Sequence, residues 1–422
     1  MKFLHCADLH LDSPLLGLNR YEGAPVGELR GATRRSLHEL VQLALRENVG
    51  LVLIAGDLFD GDWPDFNTGL YFVGQMARLR AAGIRVALVR GNHDAESRLT
   101  KSLPLPDHIH VFPSQAPETR IYEDLGVAVH GQSFGNRTVD DDLAAGYPRA
   151  IPGAFNIGLL HTSLDGRPGH AAYAPTRLDV LRGKGYDYWA LGHVHRRELV
   201  REDEPRVVFP GNPQGRHARE TGAKGCELVT VEEGRMQTRF VALDCVRWLH
   251  LECPVGDLAN SDDLLEVVQK HLRAAAYQAE GRLLAVRLRI TGQGPLHGRI
   301  AARRDAIENE LRAVALDLGP STAWIEKIQF ELRPTFDRSQ GVTRPDALSE
   351  VLWLIENLRA EPEELRLLAK EACSDLTTSL ISKLPAEVRA EADFPAMDDP
   401  KMLERLLVDA EGLLLARLLE GA

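Results

Sequence analysis

Cysteine is scarce in this chain: five in 422 residues, at positions 6, 226, 245, 253 and 373, with no C-x-x-C pair. Disulfide scaffolds need clustered, even-numbered cysteines and structural zinc sites need paired thiolates, so neither class applies. No apolar run is long enough to span a bilayer. The opening MKFLHCADLH lacks the apolar core of a signal peptide, so a cytoplasmic protein with no membrane role is expected. Positive charge is not in excess either, since the formal net charge is −11. That deficit is local: residues 336–422 carry 18 acidic and 10 basic side chains, and the remainder carries 43 and 40. A nearly neutral body leaves a nucleic-acid partner open. Hydrophobic residues at 44% and charged residues at 26% exclude disordered and fibrous classes.

What is present is a β/α opening. Short apolar runs at Phe3–Ala7, Leu51–Ala55 and Arg85–Val89 read as strands, and helical periodicity covers Arg30–Glu47 and Asn67–Ala82. Strands then dominate, at Val127–His130, Asn156–Leu160, Tyr188–Leu191, Arg206–Phe209, Glu227–Val231 and Gln237–Leu243. The expected class is α/β, with sheets layered between helices. After Cys245 the pattern becomes β-α-β-α-β, with strands at Trp248–Glu252, Leu284–Ile290 and Ile325–Leu332 and helices at Ser261–Tyr277 and Arg299–Leu318. Pro334 and the polar stretch 337–341 read as a linker. Beyond it the chain is helical: Asp346 suits a cap, Pro362 a first helical turn, and Pro400–Glu420 carries leucines at helical spacing. Three domains are therefore expected: 1–245, a small α+β domain at 246–335, and a helical region at 336–422.

The chemistry gathers where strands end. Five apolar runs stop abruptly in Asp8-Leu9-His10, in Gly56-Asp57-Leu58-Phe59-Asp60, in Gly91-Asn92-His93-Asp94, in His161, and in Gly192-His193-Val194-His195. Strand ends at one sheet edge converge in space, so loops there can pool their side chains. D-x-H and H-x-H place two ligands on one side of an extended backbone, and a preceding glycine permits a sharp turn. The donors are oxygen and imidazole with no thiolate, which favours Mn, Fe, Zn or Mg. Seven such donors exceed the needs of one ion. Two ions about 3.5–4 Å apart, bridged by one carboxylate, would use them in an in-line displacement at phosphorus. Taken singly, D-x-H is commonly a surface turn, His161 a core histidine and GD-x-x-D a helix cap. The joint pattern is what points to a dinuclear site.

The ordered set D-x-H, GD-x-x-D, GNHD, H and GH-x-H resembles the calcineurin-like metallophosphoesterases. HCADLHLDSP (5–14), AGDLFDGD (55–62), HGQSFGN (130–136) and FPGNPQGRHARETGAKGCELV (209–229) narrow the resemblance to SbcD-type DNA repair nucleases, especially their YhaO-like bacterial branch. It covers about residues 1–245. It implies a four-layer sandwich of two β-sheets flanked by helices, with a capping domain and a helical tail. It also implies one ion on Asp8, His10 and His195, another on Asn92, His161 and His193, and Asp57 bridging. His93 would meet the phosphate or protonate the leaving oxygen, with Asp94 orienting its ring. Manganese is the expected metal, with Mg2+, Fe2+ and Zn2+ as alternatives. The substrate implied is DNA, and the partner is an SMC-like coiled-coil ATPase gripped by the C-terminal helices, with a homodimer left open. Arg287, Arg289, Arg299 and Arg303 are candidate DNA contacts, set against a solvated face paired to Asp305 and Glu308. The resemblance departs at one place. Many SbcD-type nucleases carry a histidine after GD-x-x, where this chain has Asp60, Gly61, Asp62 and Trp63. A small-nucleotide phosphodiesterase and a non-catalytic DNA-end scaffold are the competing functions.

Overall fold

A computed structural model of the protein describes residues 1–13, 23–60, 67–97, 103–167, 172–256, 258, 260–294, 296–319, 321–333, 347–372, 374 and 399–420. The linker at 334–341, Asp346, Gly61, Asp62, Trp63 and Cys373 lie outside the described residues. The chain folds into two compact units. One holds Met1–His250, Ala275–Arg287 and Pro320–Glu326, and the other holds Leu251–Ala274, Leu288–Gly319 and Lys327–Ala422.

Two six-stranded sheets build the first unit. Numbered in chain order, one sheet runs β12 (Arg235–Ala242), β11 (Gly225–Glu232), β1 (Lys2–Cys6), β2 (Leu51–Ala55), β3 (Arg85–Val89) and β4 (Ile109–Val111). The other runs β5 (Glu118–Tyr122), β6 (Val127–Gly131), β7 (Phe155–His161), β8 (Tyr188–Gly192), β10 (Arg206–Phe209) and β9 (Glu198–Arg201). β1, β2 and β3 are parallel neighbours, as are β6, β7 and β8. Parallel strands covered on both faces need apolar side chains on both. Accordingly Leu51, Leu53 and Ala55 pack inward with Val127, Val129, Ile157 and Tyr188, while Val52 and Ile54 face Leu37, Leu40 and Phe72 of the covering helices Ala32–Arg46 and Asn67–Ala81. On the far side of the second sheet Leu160, Trp189 and Phe209 bury against Tyr147, Leu181 and Tyr186. The four layers of the metallophosphoesterase sandwich are thus present.

A buried polar link crosses between the sheets at His5. His5 on β1 reaches the Tyr188 hydroxyl at 2.9 Å through Nδ1 and the Leu191 carbonyl at 3.1 Å through Nε2. A carbonyl only accepts, so Nε2 carries the proton and Nδ1 accepts from Tyr188. Burial outweighs the Leu191 carbonyl and pulls the pKa of His5 down to about 3. The folded pKa is depressed, so this stability is present above the unfolded value of 6.5 and is lost as pH falls toward 3. Between pH 7.5 and pH 5 the group should cost the fold about 2 kcal/mol. Chemical denaturation of the wild type and His5→Leu at both pH values tests this; equal pH dependence in the two proteins contradicts it.

A third sheet orders β13 (Val246–Pro254), β14 (Leu283–Gln293) and β15 (Ala323–Arg333). In the second unit the helix expected over Arg299–Leu318 is two helices, Leu296–Ala302 and Arg304–Asp317. Arg303 leaves the helical region at φ −130°, ψ 32°. Asp305 then sits in the first turn of the second helix, where it complements the helix dipole. The apolar stripe Ile300, Ile307, Leu311 stays buried through the break, so periodicity concealed it. Ile355 and Leu358 of the helix Ala347–Ala360 share a small core with Leu365, Leu403 and Leu407. Glu411, buried in the helix Pro400–Glu420, accepts from Arg359 at 2.7 Å. Trp353, Leu354, Leu367 and Leu368 are exposed. No helix among the described residues is long and apolar enough to cross a membrane.

Candidate metal centre

The ends of β1, β2 and β3 in one sheet and of β7 and β8 in the other deliver the candidate residues. The five strands are therefore split between two facing sheets, with β4, β5 and β6 intervening in sequence. The loops after β1 and β2 are stitched together by backbone hydrogen bonds: Asp8 N–H to Gly56 O at 3.0 Å, His10 N–H to Asp57 O at 3.1 Å and Leu11 N–H to Leu58 O at 3.0 Å. The sheets are joined at the site as well. Asp8 accepts the His193 N–H at 3.0 and 3.1 Å, and His161 Nδ1 donates to Ala55 O at 2.9 Å.

The backbone here is not extended, contrary to the D-x-H and H-x-H reasoning. Asp8, His10, Asp57 and His193 have φ of 54°, 43°, 51° and 100°. Left-handed non-glycine residues cost roughly 1–3 kcal/mol each and persist where surrounding structure over-determines them. The paired loops and the two crossing hydrogen bonds supply that constraint. Glycine also serves differently than expected at one position. Gly56, at φ 93°, does need glycine's freedom, but Gly91 has an ordinary φ of −92°. Gly91 is required by space, because a Cβ there would lie 2.2 Å from Asp57 Oδ1 and 2.8 Å from His161 Cε1. Gly91→Ala should cost about 1–3 kcal/mol through overpacking and lower kcat/KM about 10²-fold by displacing Asp57. Kinetics and denaturation of the variant check both; unchanged turnover would contradict the close approach.

Three groups of side chains converge. Asp8, His10 and His195 bring ligand atoms within 4.8 Å of one another, as do Asp57, His161 and His193, and as do His10, Asp60 and His93. Asn92 Oδ1 faces His161 Nε2 at 3.0 Å. Asp57 Oδ2 lies 3.4 Å from His161 Nε2 and 3.9 Å from His10 Nε2, while its Oδ1 accepts the His93 N–H at 3.0 Å. All seven expected donors are thus gathered, and all but His195 are buried.

Proton bookkeeping shows what these groups require. The Nδ1 proton of His161 is committed to a carbonyl, so its Nε2 lone pair faces the Asp57 carboxylate. His195 Nδ1 is 2.7 Å from Glu220 Oε1, which leaves its Nε2 lone pair 3.2 Å from His10 Nε2. His10 Nδ1 is buried without a hydrogen-bond partner and lies 3.6 Å from Asp60. Acceptors facing acceptors need positive charge between them. A proton partly answers this at His161: burial lowers its pKa, but Asp57 and Asp8 outweigh burial and push it up to about 9. Asp8 is raised by burial, while in Asp57 burial is overcome by His161, which holds the carboxyl well below its ordinary range. Divalent cations fit an all oxygen-and-imidazole set of this kind.

Asp94 does not orient His93. It is buried, and its oxygens accept N–H groups from Leu58, Phe59 and Gly91 at 3.0–3.2 Å, tying the β3 loop to the β2 loop. Burial and neighbouring Asp57 push its pKa up to about 6. The carboxylate at His93 is Asp60, 2.9 Å from Nδ1, because the GD-x-x-D loop curls back over the site. Sequence reasoning also passed over Arg216 and Glu220. They sit in the 209–229 stretch, and neither periodicity nor spacing marked them.

The arginines offered for DNA are placed unevenly. Arg287 is held by both oxygens of Glu326 at 3.0 Å, and Arg289 by Glu331 at 2.6 Å with Glu252 at 3.3 Å. Arg303 pairs with Glu310 at 3.5 Å, and Arg304, rather than Arg303, pairs with Glu308. Arg299 is exposed.

Comparison with known proteins agrees with this geometry. Residues 1–197 match the calcineurin-like phosphoesterase family, and residues 248–333 match the middle domain of metallophosphoesterase YhaO. The chain is 35% identical over 298 residues to the metallophosphoesterase YhaO of Bacillus subtilis, covering 70% of this chain and 72% of that one. It is 25% identical over 284 residues to the SbcD component of nuclease SbcCD from the same organism, covering 56% and 68%. It is also 25% identical over 236 residues to the DNA double-strand break repair protein Mre11 of Methanopyrus kandleri, covering 51% and 49%. The match therefore spans about half of that Mre11.

Proposed function

Because this chain belongs to the calcineurin-like metallophosphoesterases, with YhaO as a relative along most of its length, we propose that it hydrolyses DNA phosphodiester bonds using two divalent cations, manganese foremost. The observation that carries the reading is the pair of buried acceptor clusters with Asp57 Oδ2 facing both. Asp8, His10 and His195 would hold one ion, Asn92, His161 and His193 the other, and Asp57 would bridge. Bound there, such ions supply Lewis acidity toward phosphate oxygens and an acidified water.

The chain's own residues do the rest. Asp57 keeps its charge and accepts the His93 N–H, which sets the start of the GNHD turn. Asp94 pins that turn to the β2 loop, so Asn92 and His93 are held at fixed positions. His93, with a side chain 33% exposed, is the proton donor to the leaving oxygen, and Asp60 orients it.

The nuclease reading leans on the SbcD and Mre11 relatives, whose names give DNA repair and nuclease roles. Arg299, and Arg303 with its longer 3.5 Å contact to Glu310, are its proposed phosphate contacts in a capping domain over 246–335, whereas Arg287 and Arg289 are engaged by carboxylates at hydrogen-bond distance. The exposed Trp353, Leu354, Leu367 and Leu368 are proposed to meet a coiled-coil ATPase. Deletion of 337–422 is then expected to abolish co-purification with such an ATPase. Cys6, Cys226, Cys245 and Cys253 are free thiols, consistent with work in a reducing cytoplasm. The decisive assay supplies Mn2+ with defined single- and double-stranded DNA ends. Cleavage of DNA is expected; hydrolysis of aryl or mononucleotide esters alone would replace the nuclease with a small-substrate phosphodiesterase.

A further inference from the structure

We infer that Arg216, Asp60 and Glu220 form a brace that positions the imidazoles of His195, His10 and His93, and thereby sets the affinity of the cation site at Asp8, His10 and His195. The inference rests on the two-metal reading above, which gives Asp60 a task only at His93 and gives Arg216 and Glu220 none.

Glu220 stands behind His195, with Oε1 2.7 Å from Nδ1. Its other oxygen accepts from Asn212 Nδ2 at 2.8 Å and from the Arg216 backbone N–H at 2.7 Å, so the carboxylate cannot swing. Asp60 lies beside His10 at a longer 3.6 Å from Nδ1, and meets His93 Nδ1 at 2.9 Å and the Ser13 hydroxyl at 2.5 Å. One guanidinium joins the two carboxylates: Arg216 Nη1 is 3.3 Å from Asp60 Oδ2, and Nη2 is 3.3 Å from Glu220 Oε1. Lys224 Nζ donates to the His195 carbonyl at 2.7 Å.

The chemical consequence follows from the tautomer of His195. Glu220, 2.7 Å from Nδ1 and nearer than Arg216 Nη2 at 3.2 Å, keeps the proton there, so this ring presents its Nε2 lone pair toward His10 Nε2, 3.2 Å away. Carboxylates behind ligating imidazoles also raise their basicity. The second site is built differently, since His161 is oriented by the neutral Ala55 carbonyl. The brace therefore acts on one ion of the pair. Through Asp60 it also ties that ion's ligands to His93, which makes all three positioning residues rather than groups that touch substrate.

The test is calorimetric titration of the metal-free, full-length protein with MnCl2. Wild type is expected to take up two ions. Glu220→Gln should weaken one of the two roughly 10–100-fold and leave the other within about threefold. Asp60→Asn should weaken the same one, and adding Arg216→Gln to Glu220→Gln should cost little more, because the three act as a unit. Two unaltered affinities in Glu220→Gln would overturn the brace while leaving the two-metal reading standing; a wild type that binds fewer than two ions would overturn that reading itself. A measurement needing no variant is the 15N spectrum of wild-type His195. A proton on Nδ1 supports the brace, and a proton on Nε2 overturns it.

Discussion

Asp57→Asn is expected to lower turnover by about 10³-fold or more while the protein still folds. The substitution keeps the shape of the side chain and the oxygen that accepts the His93 N–H. What it removes is the negative charge between His10 Nε2, at 3.9 Å, and His161 Nε2, at 3.4 Å. Bridging two cations is the one task a neutral amide performs poorly. Several kcal/mol of charge stabilisation depend on that pair of ions, and each 1.36 kcal/mol is tenfold in rate. Steady-state kinetics in Mn2+, with metal content measured alongside, separates the cases. Loss of both turnover and one equivalent of metal is the expected result. Wild-type turnover with two ions retained would remove Asp57 from the centre of the account.

His93→Ala should lose about 10²–10⁴-fold in kcat and still bind two ions, the signature of a missing proton donor rather than a missing ligand. The ring is placed for this work. Its Nδ1 is tied to Asp60 at 2.9 Å, and the side chain is only partly covered, so Nε2 is the nitrogen left for substrate. Burial lowers its pKa, but Asp60 and Asp57 more than compensate and raise it above the ordinary 6.5. A raised pKa keeps the imidazolium populated to higher pH, so the alkaline limb of the wild-type kcat profile should fall above pH 6.5 and vanish in the variant. A substrate with an acidic leaving group needs little protonation and should show a much smaller defect. Full activity of His93→Ala on DNA would dismiss the role.

Much of the fold could be read from the chain because the central strands are covered on both faces. β2 is apolar throughout, β3 and β10 are apolar after a leading arginine, and the limits of all three agree with the sequence reading residue for residue. The edge strands β4, β5 and β9 were missed for the complementary reason. Glu118–Tyr122 has one buried residue, Tyr122, and reads Glu-Thr-Arg-Ile-Tyr, with a pattern too polar and too short to stand out. At the site, residue type was legible and conformation was not. Aspartate, asparagine and histidine side chains directly after buried strands marked the candidate donors, yet nothing in D-x-H announces a left-handed backbone at both Asp8 and His10. The supporting carboxylates were harder still. Glu220 reaches His195 from 25 residues away, and Asp60 rather than adjacent Asp94 reaches His93, because both pairings are set by how loops from different strands stack. Tertiary packing decides such partners, and sequence neighbours do not predict them.

The most direct measurement is anomalous scattering from crystals grown with Mn2+. The account predicts two peaks about 3.5–4 Å apart. One should lie among Asp8, His10 and His195, the other among Asn92, His161 and His193, with Asp57 touching both. A single peak, or peaks away from these side chains, would contradict it.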